Sequence, residues 1–280
     1  MEKSILKAVC VLLCSAVFML SVVTSHAGYE DIEGGFDAIV IAETGSDWNQ
    51  DGTDDFYVFH PSIMNNNSHP IIVLCVGTGR SPDDGDYRPL LESFATHGFV
   101  VIAGTDGDQQ DGDQALCGLN WLIDENDNPG SIFYNKLVIN KIVSMGNSQG
   151  GSACIHVALK DERVTAVISM MPGAGYVNGG TTPVYENINV PIFWVSAQWD
   201  FIIWPRTVVD KYNRTNSPAW YGCHLRSGHF SVPETMQIVL RAWLYTHLYD
   251  DPAASAEFYG DNWTFQHNQN WEDQRRKNVD

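Results

Sequence analysis

The chain has 280 residues, 44% hydrophobic and 18% charged, which excludes a disordered chain and leaves ample length for a full core. Sixteen basic residues against 34 acidic ones give a formal net charge of -18. Such a surface repels phosphate backbones and anionic bilayers, which argues against nucleic-acid partners and polyanionic substrates. Neutral or cationic material suits it better.

Lys3 and Lys7 precede an apolar run over residues 8–23, and Ser25-His26-Ala27 supplies small residues at the −3 and −1 positions of a cleavage site. The pattern predicts a secretory signal peptide over 1–27, too short for a membrane span. The expected mature protein, 28–280, is a soluble monomer of one domain, secreted or periplasmic. It keeps Cys75, Cys117, Cys154 and Cys223. Cys75 falls in a strand pattern and Cys154 in a helix pattern, where a thiol packs as a small hydrophobe. A Cys117–Cys223 disulfide is left open by an oxidising compartment.

Residues 36–42 and 56–60 read as a leading antiparallel pair. Between them, Asp47, Asn49, Asp51, Thr53 and Asp55 set oxygens at alternate positions around Gly52. That spacing suits a weak calcium loop, although Val58 stands where the closing bidentate Glu is expected. An Asx-rich turn is the competing reading. Strands follow at 71–76, 99–103, 142–145, 164–170 and 191–197, each a run apolar throughout or broken only by Ser or Thr. Helical patterns occupy 87–97, 113–126, 149–159 and 232–249. Continuous apolar strands alternating with helices predict an α/β protein, its mostly parallel central sheet covered on both faces. The tail from residue 253, polar with Trp263 and Trp271, reads as a surface extension.

Gly146-Asn147-Ser148-Gln149-Gly150 is a G-x-S-x-G sequence between an apolar strand and a helix, the setting a nucleophile elbow requires. The flanking glycines fit a sharp turn that bulkier residues would obstruct. A serine nucleophile needs a base, and the base an orienting acid. In this chain order the acid is Asp200, just past the strand at 191–197. The base is His229, before the last helix. Asp161 and Asp210 read as surface groups, and His156, His224 and His247 as packed or solvated. The oxyanion needs two donors. Candidates are the backbone N–H groups of Gln149 and of Thr78, in Val76-Gly77-Thr78-Gly79. There is no HExxH motif and no Cys/His cluster for catalytic zinc.

These stretches, with Ala95-Thr96-His97-Gly98-Phe99-Val100-Val101-Ile102 and Val190-Pro191-Ile192-Phe193, resemble the α/β-hydrolase superfamily over nearly the whole mature chain. More narrowly the chain resembles the cutinase and polyester hydrolase (PET-hydrolase-like) branch, near dienelactone-hydrolase-type domains. The resemblance implies an α/β-hydrolase fold with little or no lid, no required cofactor, and Ser148, Asp200 and His229 as a triad. It likewise implies oxyanion donors at Thr78 and Gln149. Two departures stand out. Thr78 replaces the aromatic the family carries there, and Met170-Met171-Pro172-Gly173-Ala174-Gly175 lacks the family's Trp. Trp199, Phe201, Ile202 and Trp204 cluster at the Asp200 loop instead, as candidate substrate contacts or as core.

The resulting expectation is a secreted serine esterase acting on neutral carboxylic esters, polyester- and cutin-like polymers among them. The alternatives are a lipase or acetyl-ester hydrolase, a peptidase of the same fold, and a non-catalytic secreted binding protein.

Overall fold

A computed structural model describes residues 34–279 apart from 53, 67, 106–108, 110 and 174–179. The expected signal peptide and Thr53 lie outside the described residues. Two strands open the described residues, β1 (Ala38–Thr44) and β2 (Phe56–Pro61). Alternation begins with β3 (His69–Cys75), α1 (Arg88–Thr96), β4 (Val100–Gly104) and α2 (Asp113–Asp127). It continues through β5 (Leu137–Asn147), α3 (Gln149–Lys160), β6 (Val164–Met170), β7 (Ile192–Ala197), α4 (Pro205–Arg214) and β8 (Ala219–His224). The chain closes with α5 (Glu234–Leu248), α6 (Pro252–Ser255) and β9 (Trp271–Lys277).

The strands form one sheet in the order β1-β2-β4-β3-β5-β6-β7-β8-β9. From β4 to β8 all neighbours are parallel; β1, β2 and β9 run antiparallel at the two edges. The topology explains the continuous apolar runs. Ile72 and Leu74 of β3 face a cluster with Leu90, Leu91 and Phe94 of α1 and Leu240 and Trp243 of α5. Ile71 and Val73 face the other way, toward Leu119 and Leu122 of α2 and Val157 of α3. A strand buried on both faces has no polar side to alternate with.

The C-terminal tail corrects the sequence reading. It does not wrap the surface. β9 pairs with β8, from Ala219 opposite Lys277 to His224 opposite Trp271, and completes the sheet. Trp271 lies 5.8 Å from Phe193 and 5.2 Å from Phe265 between ring centroids. Trp263 is buried as well. The strand Trp271-Glu272-Asp273-Gln274-Arg275-Arg276-Lys277 carries one apolar residue because an edge strand can leave its side chains in water.

The Cys117–Cys223 pairing is not made; all four described cysteines are free thiols. Cys117 lies in α2, 3.2 Å from the Ser46 hydroxyl, whereas Cys223 is buried in β8. Burial pushes the Cys75 thiol up to about 12 and raises that of Cys154 well above its ordinary value. Both are therefore inert packing groups.

Candidate active site

The parallel strands β3, β5, β7 and β8 end at one edge of the sheet, and their outgoing loops converge there. Loops at this edge are where such sheets carry chemistry. β5 delivers Asn147 and then Ser148, which turns directly into α3. Ser148 has φ 58° and ψ −124°, a strained conformation for a side chain with a Cβ. Neither Gly146 nor Gly150 has positive φ. The glycines serve close approach. A Cβ on Gly150 would sit 2.0 Å from the Cys75 carbonyl oxygen, and one on Gly146 2.1 Å from that of Gly150. Strand and helix meet backbone to backbone, and the strain falls on the serine.

The structure brings Ser148, His229 and Asp200 together. The β8–α5 loop carries His229, whose Nε2 lies 2.9 Å from Ser148 Oγ. Its Nδ1 donates to Asp200 Oδ2 over 2.7 Å. The second Asp200 oxygen accepts from the backbone N–H groups of Ile202 and Ile203, each at 2.8 Å. The Asp200 side chain is fully buried and that of His229 nearly so. A carboxylate held on three donors in a dry site is fixed in orientation, and it fixes the imidazole tautomer in turn. Ser148 itself remains half-exposed.

Gln149 is buried at the start of α3, and Thr78 is exposed in the loop leaving β3. Gly77 is pressed against Ser148: a Cβ there would come 3.3 Å from Ser148 Cβ. Trp199, Phe201, Ile202 and Trp204 are 53%, 78%, 57% and 52% exposed, so none of them is core. Phe230, which the sequence did not single out, joins them at 53%. Its ring meets that of His229 edge-on at 4.9 Å. Arg80, also unforeseen, lays its guanidinium 5.6 Å from the rings of both Phe230 and Tyr87.

The competing side chains sit elsewhere. Asp161 pairs with Arg163, and Asp210 is exposed on α4. His224 is held between the Ser227 hydroxyl at 3.0 Å and that of Thr235 at 2.9 Å. Burial lowers its pKa to about 4. An unfolded chain takes up this proton below about 6.5, the folded one only near 4. Stability is therefore complete above pH 6.5 and is lost as pH falls toward 4, on the order of 2 kcal/mol from this group. Thermal melts at pH 7 and pH 4.5 should show a smaller acid loss in His224→Gln than in the wild type. Equal losses would remove His224 from the account.

In the 47–55 loop, Asp47 accepts from the N–H groups of Asp51 and Gly52, and Asp55 from Asn49 N and Nδ2. The Asp51 N–H also donates to Asn49 Oδ1, two residues back, at 2.9 Å, and that bond is an Asx turn. Among the described residues no group of three or more His, Cys, Asp or Glu side chains gathers as a metal site.

A family model described as PET hydrolase-like matches residues 71–253, from β3 past the last long helix, and so spans the whole constellation. The chain belongs to the PET hydrolase-like family. Its one large, mostly parallel sheet flanked by helices is an α/β-hydrolase fold. Cutinase est2 of Thermobifida alba is 26% identical over 168 residues. That match takes in 58% of this chain and 52% of the relative, so the PET hydrolase-like chain spans about half the length of that cutinase.

Proposed function

We propose that this PET hydrolase-like protein is a serine esterase, exported from the cell, that hydrolyses neutral carboxylic esters, including polyester- and cutin-type polymers. The observation that carries the reading is Ser148 at a strained elbow, 2.9 Å from an imidazole that Asp200 holds from behind. Ser148 Oγ attacks the ester carbonyl as His229 Nε2 takes its proton. The backbone N–H groups of Thr78 and Gln149 receive the oxyanion. The tetrahedral intermediate collapses, and the imidazolium returns the proton to the departing alcohol. Water, deprotonated by His229, then releases the acid from the acyl-serine and regenerates the enzyme.

The reaction requires no cofactor and proceeds on a monomer. Calcium at Asp47, Asn49, Asp51, Thr53 and Asp55 would be structural and weak. Heat on titration with millimolar Ca²⁺ supports that site, and its absence removes it.

Exposure of Trp199, Phe201, Ile202, Trp204 and Phe230, in the segments that follow Asp200 and His229 or flank them, supports a rim that takes an apolar chain lying across it. Phe201→Ala and Trp204→Ala should slow hydrolysis of a polyester film about fivefold more than hydrolysis of p-nitrophenyl butyrate. Each exposed ring contributes roughly 1 kcal/mol of contact to an extended apolar surface and little to a small ester. Equal effects on both substrates would take the rim out of polymer binding. Turnover of p-nitrophenyl butyrate by the purified protein tests the esterase reading itself, and inertness contradicts it.

A further inference from the structure

Three loops must keep a fixed spacing for the proposed chemistry. The β3 loop carries Thr78, the β5 elbow carries Ser148, and the β8–α5 loop carries His229. A buried chain of hydrogen bonds runs through all three. The Gly77 N–H donates to the Tyr87 hydroxyl at 3.0 Å. That hydroxyl donates in turn to Asn147 Oδ1 at 3.3 Å. Asn147 Nδ2 donates to the His229 carbonyl oxygen at 3.4 Å. Tyr87 is 4% exposed and Asn147 6%. The partners are 10, 60 and 82 residues apart in sequence, so none of these bonds is a by-product of local turn geometry.

The placement of each end matters. Gly77 is the residue before Thr78 and packs on Ser148 Cβ. Holding its N–H fixes the Val76–Gly77 peptide plane, the one immediately before the plane that carries the Thr78 N–H. Asn147 is the residue before the nucleophile, and its carboxamide grips the backbone of the base. A shift in the amide side chain would displace His229 and the Gly77 loop relative to Ser148. Distances in such a site tolerate little error, since misplacement by about 1 Å costs on the order of 10²-fold in rate. The phenol is suited to the task because burial pushes its pKa up to about 12, so it stays a neutral donor across the working pH range. The Arg80 guanidinium 5.6 Å above its ring steadies it further.

We propose that Tyr87 and Asn147 are positioning residues, which through Gly77 and His229 set the spacing of the oxyanion loop and the base around Ser148. This rests on the serine-esterase reading. The variants are Tyr87→Phe, which removes one oxygen and keeps the ring, Asn147→Leu, and the double variant. All are assayed on p-nitrophenyl butyrate, with the active fraction counted by fluorophosphonate titration, so that misfolded molecules do not enter the rate. Each single variant should lower kcat about tenfold and leave KM within twofold. The double variant should fall no further than the worse single, because both break one chain. A loss confined to the titratable fraction, with kcat per active site unchanged, would mean a merely structural role and overturn the proposal. So would multiplicative losses, which mean two independent effects. Wild type active and lost in Ser148→Ala, with both single variants within twofold, overturns the positioning role alone. An inert wild type overturns it together with the esterase reading.

Discussion

Ser148→Ala should hydrolyse p-nitrophenyl butyrate at least about 10³-fold more slowly than the wild type while keeping its melting temperature within a few degrees. The substitution removes only Oγ, the atom 2.9 Å from His229 Nε2. Alanine retains the Cβ that already tolerates φ 58°, so the elbow is no more strained than before. His229→Ala in the same background should add almost nothing, because nucleophile and base act as one unit. The residual rate would come from the oxyanion donors and binding alone. A variant within tenfold of wild type would mean that another group attacks the ester.

Gly150→Ala should cost about 3 kcal/mol or more in urea unfolding, or fail to give soluble protein. One methyl group would stand 2.0 Å from the Cys75 carbonyl oxygen and 2.5 Å from that of Val76. These are backbone atoms at the end of a central strand, and no rotamer relieves the overlap. Relief requires α3 to move off β3, which would separate Ser148 from the loop that carries Thr78. Gly85→Ala is the matched control, since its Cβ would meet nothing within 4 Å. It should stay within about 0.5 kcal/mol of wild type. Equal stability of the two variants would mean that helix and strand do not meet as described.

The sequence revealed those features that repeat locally. β6 was legible to the residue, Val164–Met170, because both its faces are buried and six of its seven residues are buried. β5 runs longer than its apolar run of 142–145, from Leu137 to Asn147, because residues 139 and 140 are exposed. β9 was invisible for a related reason. An edge strand of charged residues with one buried Trp has neither an apolar run nor strict alternation. Ser148, Asp200 and His229 could be picked out because each follows the end of a strand in a parallel sheet. Tyr87 and Asn147 could not, since bonds spanning 60 and 82 residues leave no periodic trace. A buried tyrosine just before α1 and an amide at the variable place of the G-x-S-x-G sequence were the only signals present. Trp194 and Trp199 show why aromatic residues defeat composition. They lie five positions apart, yet one is fully buried in β7 and the other 53% exposed past its end.

The central claim is that Ser148 is the nucleophile, activated by His229 and Asp200. Its most direct test is to react the purified protein with a fluorophosphonate and locate the adduct by mass spectrometry of tryptic peptides. A single adduct per chain on Ser148, forming at least about 10²-fold more slowly in His229→Ala, is the expected result. An adduct on another residue, or none after prolonged exposure of the folded protein, would contradict the claim.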